Sequence, residues 1–525
     1  MGQDLTKSIT SPPLTLTQCF VNRQIDIARY IYYLMRIDGT SSNQLSMSLL
    51  SKNNSTIANG GIKSKQRKSR SVKRHKLLVR DDNGEVRELL PIDTRWYQLY
   101  VQSEPLNNRS RAAFRLRFRI PYQSFIALSE EIEAHDLFYR WTQKDAVGDD
   151  SSNIKLLLLG VFRYIGRAWT MDDIEEANGI SREVNRNFIN TFLVYGSTIL
   201  YNKWVIEPAI NRNTSDQERL FRMAGFNSCI GSSDATHVGM LSCPAWTHNM
   251  HKGYKLNIPS RTYNVTVDHS RKMLGSTEGH PATWYDKTLI LFDRLISKIN
   301  DGIIPDDYEF MLYEHDDNGN IVEVCYYGVW FMVDNGYLSW SCTVAPIKDG
   351  TTYKDIRFSE WLESMRKDVE CTFGIVKGRF AILRYGVRFK SIVKCDQLWL
   401  TCLALHNLLI DVDGLDKNWE TGVSSDWEVI NNKYNKRADR NNAPFAIQRL
   451  KRKIDERDNY QEMPSPPDEH SNIKSKFEKY TVRGKRIVSK MPLDLFRQCL
   501  VNHFDIRFKM NDIVWPKHIK KARVI

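Results

Sequence analysis

The sequence lacks the features that mark secreted, membrane and zinc-finger proteins. Its nine cysteines are scattered and none stands in a CxxC pair, which argues against a zinc site and is typical of thiols in a reducing compartment. No apolar run approaches the ~18 residues that a membrane-spanning helix needs, and no signal-peptide core stands near residue 1. We therefore expect a soluble, intracellular protein with no membrane partner.

Apolar residues and positive charge are plentiful. Hydrophobic residues make up 42% of the 525 and include 13 tryptophans, enough for an ample core and about two to four domains. The net charge is +13. Such an excess of Lys and Arg favours a polyanionic partner, because phosphates that are neutralised by cationic side chains release their counterions.

Residues 1–90 are predicted to form a basic, largely disordered arm, because apolar residues are sparse and Ser and Asn are frequent. Between Lys63 and Arg80 the chain carries nine Lys or Arg and no acid. Three interpretations stay open for this run: a nuclear import signal, a nonspecific phosphate-binding arm, or a solvated tail. The first of these places the protein in the nucleus.

Three acidic residues stand in patterned segments. Asp334 follows a short apolar run, residues 328–333, and precedes a glycine turn, the pattern of a buried strand that ends at a site. Glu370 lies in an amphipathic helix predicted over residues 358–380, and Asp234 lies in a strand-like segment, residues 229–238. Carboxylates on two strands and a helix can meet at one pair of Mg²⁺ or Mn²⁺ ions. For any one of these acids taken alone, a plain turn residue is the favoured interpretation.

The local sequences around the three acids resemble the three acidic blocks of the PIF/Harbinger DDE transposases, and in particular the branch labelled plant transposon protein. The blocks are SDATHV from Ser233, VDNGY from Val333 and VECTFGIVKGRF from Val369. The likeness covers roughly residues 110 to 410, with a weaker trace to 516. It implies an RNase-H-like core, two metal ions held by Asp234, Asp334 and Glu370, and DNA cutting and joining.

The helix with Glu370 holds competing acids, Glu360, Glu363 and Asp368. Glu370 is preferred because Arg366 stands one turn before it and Phe-Gly follows, as in the family block. We expect Arg366 to pair with a ligand carboxylate or a DNA phosphate. The sequence departs from the family at Ala235, Cys371 and Thr372, but none of these positions is a ligand.

Residues 152–200 show the order helix, short helix, glycine turn, helix, which is the helix-turn-helix pattern. Its last helix begins with Arg182, Asn185 and Arg186, residue types that reach base edges in a major groove. An ordinary helical bundle with a solvated polar face is the alternative.

Other basic residues near the acids are candidates for DNA contact, and plain surface charge is the alternative for each. They are Lys252, Lys255, Arg261, Lys377 and Arg379. His237 is assigned a supporting or DNA-positioning role, with simple packing as the alternative. Two spare acids in this region, Asp268 and Asp286, are expected to be solvated loop residues, with a supporting role beside the site as the alternative.

The fold class expected is therefore α/β: an RNase-H-like core with a mixed sheet flanked by helices, residues 211–412, preceded by a helical DNA-binding domain, residues 91–210. Residues 413–490 are expected to be a polar basic linker and residues 491–525 a small C-terminal element. The expected function is hydrolysis of phosphodiester bonds at transposon ends and transfer of the 3′-OH to target DNA. A homo-oligomer and a Myb-like accessory protein are the expected partners besides DNA. A domesticated DNA-binding protein without cleavage and a non-transposing nuclease stay open as alternatives.

Overall fold

The computed structural model describes residues 77–80, 83–144, 151–208, 213–303, 307–413, 479–482 and 484–513. Most of the predicted basic arm, nearly all of the Lys63–Arg80 run and residues 414–478 of the predicted linker lie outside these residues. Within them, no helix combines the length and the apolar character that crossing a membrane requires. The described residues fall in one compact unit, Lys76–Ile525.

The first described part is a two-stranded antiparallel hairpin followed by helices. The strands are β1 (Leu78–Arg80) and β2 (Val86–Glu88), and the helices are α1 (Arg95–Tyr100), α2 (Asn108–Phe118), α3 (Tyr122–Glu133), α4 (Ile154–Arg167), α5 (Met171–Asn178), α6 (Arg182–Tyr195) and α7 (Tyr201–Trp204). The alternating stretch Phe114–Arg119, which is compatible with a strand by pattern, lies in α2. There Phe114 and Phe118 share the buried face four residues apart.

Helices α4, α5 and α6 lie where the sequence predicts them. Thr170 and Asp173 form the expected capping box, in which each side chain accepts a hydrogen bond from the other residue's backbone N–H. Gly179 ends α5 with φ of 68°, a left-handed conformation that glycine adopts without strain. The predicted continuation of α6 to about residue 200 instead becomes a π-helical turn, Gly196–Leu200. A Cβ on Gly196 would lie 2.5 Å from the side chain of Thr401, so the backbone of this turn packs directly against Thr401.

The central sheet follows. The elements of this part of the chain, in order, are α8 (Asn213–Met223), β3 (Cys229–Gly239), α9 (His248–His251), β4 (Ser260–Val267), β5 (Met273–Ser276), β6 (His280–Pro281), α10 (Asp286–Leu289), α11 (Arg294–Asn300), β7 (Glu309–His315), β8 (Ile321–Tyr327), β9 (Trp330–Met332) and β10 (Thr343–Val344). All of these strands except β7 and β8 belong to the central sheet. The strand order is β10-β9-β3-β4-β5, with β6 paired to β4. Strands β3, β4 and β5 are antiparallel neighbours, whereas β9 and β10 run parallel to β3. This mixed sheet is compatible with the expected RNase-H-like core.

Long helices cover the sheet. They are α12 (Tyr353–Arg379), α13 (Ala381–Tyr385) and α14 (Ile392–Val412). The apolar run before Asp334 shows why both faces need cover, since successive strand residues point to opposite faces. Trp330 and Met332 enter one hydrophobic core with α12, while Phe331 and Val333 enter a second core with α11. The prediction of a fully buried strand at this place is thus confirmed.

The remaining elements are β11 (Thr481–Val482), β12 (Lys485–Ile487) and α15 (Leu493–Lys509). Strand β12 pairs with β8, giving a second sheet in the order β11-β12-β8-β7. Helix α15 packs against β7 and α12, and its Phe496 and Phe504 join the core that contains Trp330 and Trp361. The predicted boundary at residue 490 is therefore misplaced, because strands assigned to the linker complete a sheet of the core region.

Candidate active site

Asp234 lies on β3, inside the sheet. Its Cα pairs across to Val265 of β4, and its Oδ1 accepts a hydrogen bond from the backbone N–H of Ala235 at 2.7 Å. Only 16% of the side chain is exposed. The backbone bond and the burial together fix the direction of this carboxylate.

Asp334 stands two residues beyond the end of β9, the strand that pairs in parallel with β3. Its Oδ1 accepts a hydrogen bond from the backbone N–H of Gly336 at 2.7 Å, the Asx-turn geometry that a glycine turn after a strand permits. Ser232 of β3 pairs with Met332 of β9 in parallel register, so two residues further along each strand Asp334 comes level with Asp234.

Glu370 reaches the same place from helix α12, and the guanidinium of Arg366 makes the connection. Arg366 Nη1 donates to Asp234 Oδ2 at 3.2 Å, and Nη2 donates to Glu370 Oε1 at 3.1 Å. The same guanidinium also forms two bonds to Glu363, at 2.9 and 3.1 Å. The expectation that Arg366 pairs with a candidate ligand carboxylate agrees with these bonds, whereas Glu363 shares the arginine rather than standing apart from the site.

Burial is the main factor that opposes the ionisation of Asp234. Burial raises the pKa of Asp234 to about 6; Arg366 and the Ala235 N–H act in the other direction, and the negative charges of Asp334 and Asp286 add to the rise. The buried Tyr337 phenol feels the same carboxylates: burial raises its pKa, and Asp234, Asp286 and Asp334 raise it further. Several carboxylates therefore crowd one point at the edge of the sheet, and such a group attracts cations.

Asp286 is a member of this group that sequence reasoning assigned to a solvated loop. It begins α10 and is partly buried, and burial followed by the charge of Asp334 raises its pKa. A Cβ on Gly336 would lie 2.9 Å from Oδ1 of Asp334 and 3.0 Å from Oδ2 of Asp286, so both carboxylates face this glycine. The local sequence gave no signal for this, because residues 286 and 334 are brought together only by the tertiary fold.

The donor set suits a hard divalent cation, which prefers carboxylate oxygens. In the part of the chain that the structure describes, no three His, Cys, Asp or Glu side chains are close enough to hold a metal ion as they stand. Positive charge at this place comes from Arg366, which is bonded to two of the three predicted ligands. Metal binding would accordingly require Arg366 to exchange at least one of these bonds.

Two predicted site residues stand close to the acids and are partly buried. Lys377 Nζ donates to Thr236 Oγ1 at 2.8 Å and to the carbonyl of His237 at 2.9 Å, and burial lowers the pKa of this lysine to about 8. His237 Nδ1 lies 3.0 Å from Thr262 Oγ1. Burial lowers the pKa of His237 to about 4, so this imidazole is neutral at pH 7.

Three predicted DNA contacts need correction because their side chains are enclosed. Arg261 is 2% exposed and forms a bidentate ion pair with Asp396, at 2.7 and 2.6 Å. Arg379 is fully buried and donates to His406. Neither guanidinium reaches a duplex, and both instead tie the sheet and α12 to α14.

Asn185 is the third. It is 1% exposed, and its Nδ2 donates to the carbonyl of Ile180 at 2.7 Å while its Oδ1 accepts from Asn178 at 2.8 Å. Asn185 therefore fixes the turn between α5 and α6 instead of facing solvent. Its neighbours Arg182 and Arg186 are about half exposed, and they pair with Asp172 and Glu183.

The exposed lysines Lys252 and Lys255 lie after α9. The structure thus brings Asp234, Asp334, Glu370 and Arg366 together, with His237 and Lys377 beside them. Arg182 and Arg186 lie on another element, α6, in the helical region.

Comparison with known families adds a result for the same stretch. Residues 207–416 match the family described as plant transposon protein. The match encloses Asp234, Asp334 and Glu370, and it supports a transposase-related family and function. No curated protein and no solved structure matches the chain.

Proposed function

We propose that this chain is a metal-dependent DNA endonuclease and transposase of the PIF/Harbinger kind, which hydrolyses phosphodiester bonds at transposon ends and joins the 3′-OH to target DNA. The observation that carries the proposal is that the guanidinium of Arg366 donates one hydrogen bond to Asp234 on a strand and another to Glu370 on a helix. Asp334 lies beside them at the end of the neighbouring strand. The plant transposon family match over this region supports the same function.

Asp234, Asp334 and Glu370 would hold two Mg²⁺ or Mn²⁺ ions. Bound metal at such a site polarises the phosphate and lowers the pKa of the attacking water or hydroxyl. The Ala235 and Gly336 N–H groups hold the two aspartates in fixed directions. Arg366, once it releases a carboxylate, presents a guanidinium that suits bidentate binding of a phosphate.

DNA is the proposed partner, and the surface-exposed cations are the proposed contacts. Lys255 lines a cavity together with Asp286, and Lys252 is an exposed lysine three residues before it. Arg182 and Arg186 are about half exposed on α6, the second helix of the proposed helix-turn-helix. Homo-oligomerisation, a Myb-like accessory protein and nuclear location belong to the same proposal. The accessory protein follows from the resemblance to PIF/Harbinger transposases, and nuclear location follows from the basic run Lys63–Arg80.

The deciding experiment is cleavage of duplex DNA that carries the element's own terminal repeats, with Mg²⁺, Mn²⁺ or EDTA. Wild type is compared with Asp334→Ala, and one arm includes nuclear extract to supply an accessory protein. Metal-dependent cleavage that disappears in the variant supports the proposal. Cleavage without joining of the 3′ end to target DNA favours a non-transposing nuclease.

A second candidate function is DNA binding without cleavage, and one observation favours it: Arg366 already neutralises two of the three acids, and no ready metal site stands among the described residues. Titration calorimetry with Mn²⁺ distinguishes the two. Mn²⁺ binding by wild type that is lost in Asp334→Ala supports the nuclease. DNA binding with no Mn²⁺ heat and no cleavage supports the second candidate.

A further inference from the structure

A cavity of about 360 Å³ opens beside the acids, and His237, Asp286 and Gly336 of the site form part of its wall. Its walls include Tyr254, Lys255, Trp284, Tyr285, Asp286 and Lys287. Its size lies near the lower end of small-molecule sites, about 300–1,000 Å³. A cavity of this size suits a single ring system with its substituents and excludes a DNA duplex.

The aromatic side chains of the cavity are unusually exposed. Tyr254 is 80% exposed and Tyr285 is 74% exposed, although neither is needed to cover the core. Trp284 is held more firmly, because its ring stacks on the buried His280 with centroids 5.0 Å apart and planes 17° apart. The cavity therefore offers one fixed aromatic surface and two that are free to close over a flat ligand.

The cavity wall carries two cations beside the acids. Lys255 and Lys287 are exposed, and the positive charge of Lys255 extends inward, since it lowers the pKa of both His237 and Lys377 after burial. Asp286 lies next to Lys287 in the same wall, feels the positive charge of Lys255, and faces Asp334 at Gly336. A ligand with a flat ring and an attached phosphate matches this lining: the ring enters the aromatic part and the phosphate stays with the lysines, next to the acids.

We propose that the cavity receives one unpaired nucleobase of a DNA strand whose backbone passes the carboxylates. The base stacks among Tyr254, Trp284 and Tyr285, and Lys255 and Lys287 contact the flanking phosphates. This deepens the proposed function, on which it rests, by making a locally unpaired strand the substrate. Stacking is tolerant of sequence because every base has a π face, so the cavity selects for an unpaired base and not for a base identity.

The test uses two DNA hairpins with the same duplex, one blunt and one with a short 3′ single-stranded tail that carries 2-aminopurine. Binding is measured by anisotropy and by 2-aminopurine fluorescence in EDTA, so that no cleavage step contributes. Wild type is expected to bind the tailed hairpin about tenfold more tightly than the blunt one, in the range of a stacked base, and to quench the fluorophore.

The variant that tests the cavity is Tyr254→Ala/Tyr285→Ala, whose exposed side chains leave the core intact. It is expected to lose the tail preference and the quenching, whereas Tyr254→Phe/Tyr285→Phe keeps both. The matched control is Tyr139→Ala, a tyrosine of similar exposure, 63%, in the 3-10 turn Asp136–Trp141; it should behave as wild type.

Three results overturn the proposal: no tail preference in wild type, a preference that survives in the double alanine variant, or competition by free dAMP as strong as by the tailed hairpin. The last result identifies a free-nucleotide site instead. The proposed function fails separately. Tail binding without any metal-dependent cleavage would contradict the proposed nuclease function and support the proposed role of the cavity. Cleavage that is unchanged in the double alanine variant would support the nuclease function and contradict the role of the cavity.

Discussion

Helix α12 contributes an acid to each of two acidic clusters, Glu370 to one and Asp368 to the other, and the two clusters make a natural comparison. The open cluster consists of Asp234, Asp334 and Glu370, with Arg366 among them. The enclosed cluster consists of Asp268, His269 and Asp368. In both, a buried aspartate has its pKa raised to about 6, and burial is the main cause for Asp234 and for Asp268.

The two clusters differ in what satisfies the carboxylates. Asp268 accepts a hydrogen bond from the backbone N–H of Lys272 at 2.9 Å, and Asp368 is bonded to His269 Nδ1. The ring of His269 in turn packs edge-on against Phe221, 5.6 Å away. Each acid of the enclosed cluster thus has a dedicated partner, and none of the three residues is more than 7% exposed.

In the open cluster several carboxylates share the guanidinium of Arg366. The negative charges of these carboxylates repel one another, and the cluster borders the cavity. The comparison teaches that a raised pKa does not identify a functional acid, because burial produces the same shift at a closed structural position. Like-charge repulsion occurs in both clusters, since Asp368 also raises the pKa of Asp268. The features that separate the two are the sharing of one guanidinium and the position beside an opening.

The largest effect is expected for Asp334→Ala. Loss of this carboxylate should reduce metal-dependent cleavage by about 10³-fold or more, comparable with removing one group that stabilises developing charge. The matched control is Asp268→Asn, which keeps an oxygen to accept the Lys272 N–H and should cleave within about threefold of wild type. Equal losses in the two variants would erase the distinction between the clusters.

Arg366→Met is expected to come next. It leaves the buried Asp234 without its ion pair, and breaking a buried pair from one side costs about 3 kcal/mol of the free energy of unfolding. Arg366→Lys retains the charge but not the planar fork, so its stability should lie between wild type and the methionine variant. Urea unfolding in EDTA measures the series; a methionine variant as stable as wild type contradicts the assigned role.

Without metal, the two clusters are expected to give the protein the same dependence of stability on pH. Between pH 3.8 and about 6 the folded protein keeps a proton on Asp234 and on Asp268 that the unfolded chain has lost. The free energy of unfolding therefore falls as pH rises through this window, by about 3 kcal/mol for each group. In EDTA, Asp234→Asn and Asp268→Asn should each gain about 2 kcal/mol relative to wild type between pH 4.5 and 7.

Excess Mg²⁺ at pH 7 sharpens that measurement. Metal should stabilise wild type and Asp268→Asn, since bound cation offsets the repulsion in the open cluster, and it should leave Asp234→Asn unchanged. Thermal unfolding with and without Mg²⁺ provides the readout. A Mg²⁺ effect that persists in Asp234→Asn would place the metal elsewhere.

The smallest effect is expected for Glu363→Gln. Glu363 is 41% exposed and pairs with Arg366 at the helix surface, where an ion pair contributes about 0.5 kcal/mol. Cleavage should stay within about threefold of wild type, whereas Glu370→Gln should lose most activity. If the two glutamates exchanged these outcomes in the cleavage assay, the choice of Glu370 as ligand would be wrong.

Local patterns predicted the elements that carry the acids. The apolar run before Asp334 became β9, and the periodic segment around Glu370 became α12, which begins earlier than expected because Thr352 caps it. These succeeded because strand and helix periodicities are properties of neighbouring residues. The assignment of the three acids to metal stays a prediction.

Where sequence reasoning was wrong, distant residues decided the outcome. Arg261 was assigned to DNA because arginines are mostly exposed, but Asp396, 135 residues away, encloses it. The hairpin of β7 and β8 was missed, although Asn318-Gly319 between two β-rich runs is a hairpin signal. Its partner strand β12 lies about 160 residues further along the chain, beyond the reach of any local pattern.

The late position of α15 bears on how the protein is synthesised. Phe496 and Phe504 of α15 pack against Trp330, Phe358 and Trp361. Because Phe358 and Trp361 lie on α12, this helix is packed on that side only after residue 504 has left the ribosome. A message cut short before codon 493 would encode all three acids without the packing that holds α12 against the sheet. Chains truncated before α15 are therefore expected to be poorly folded.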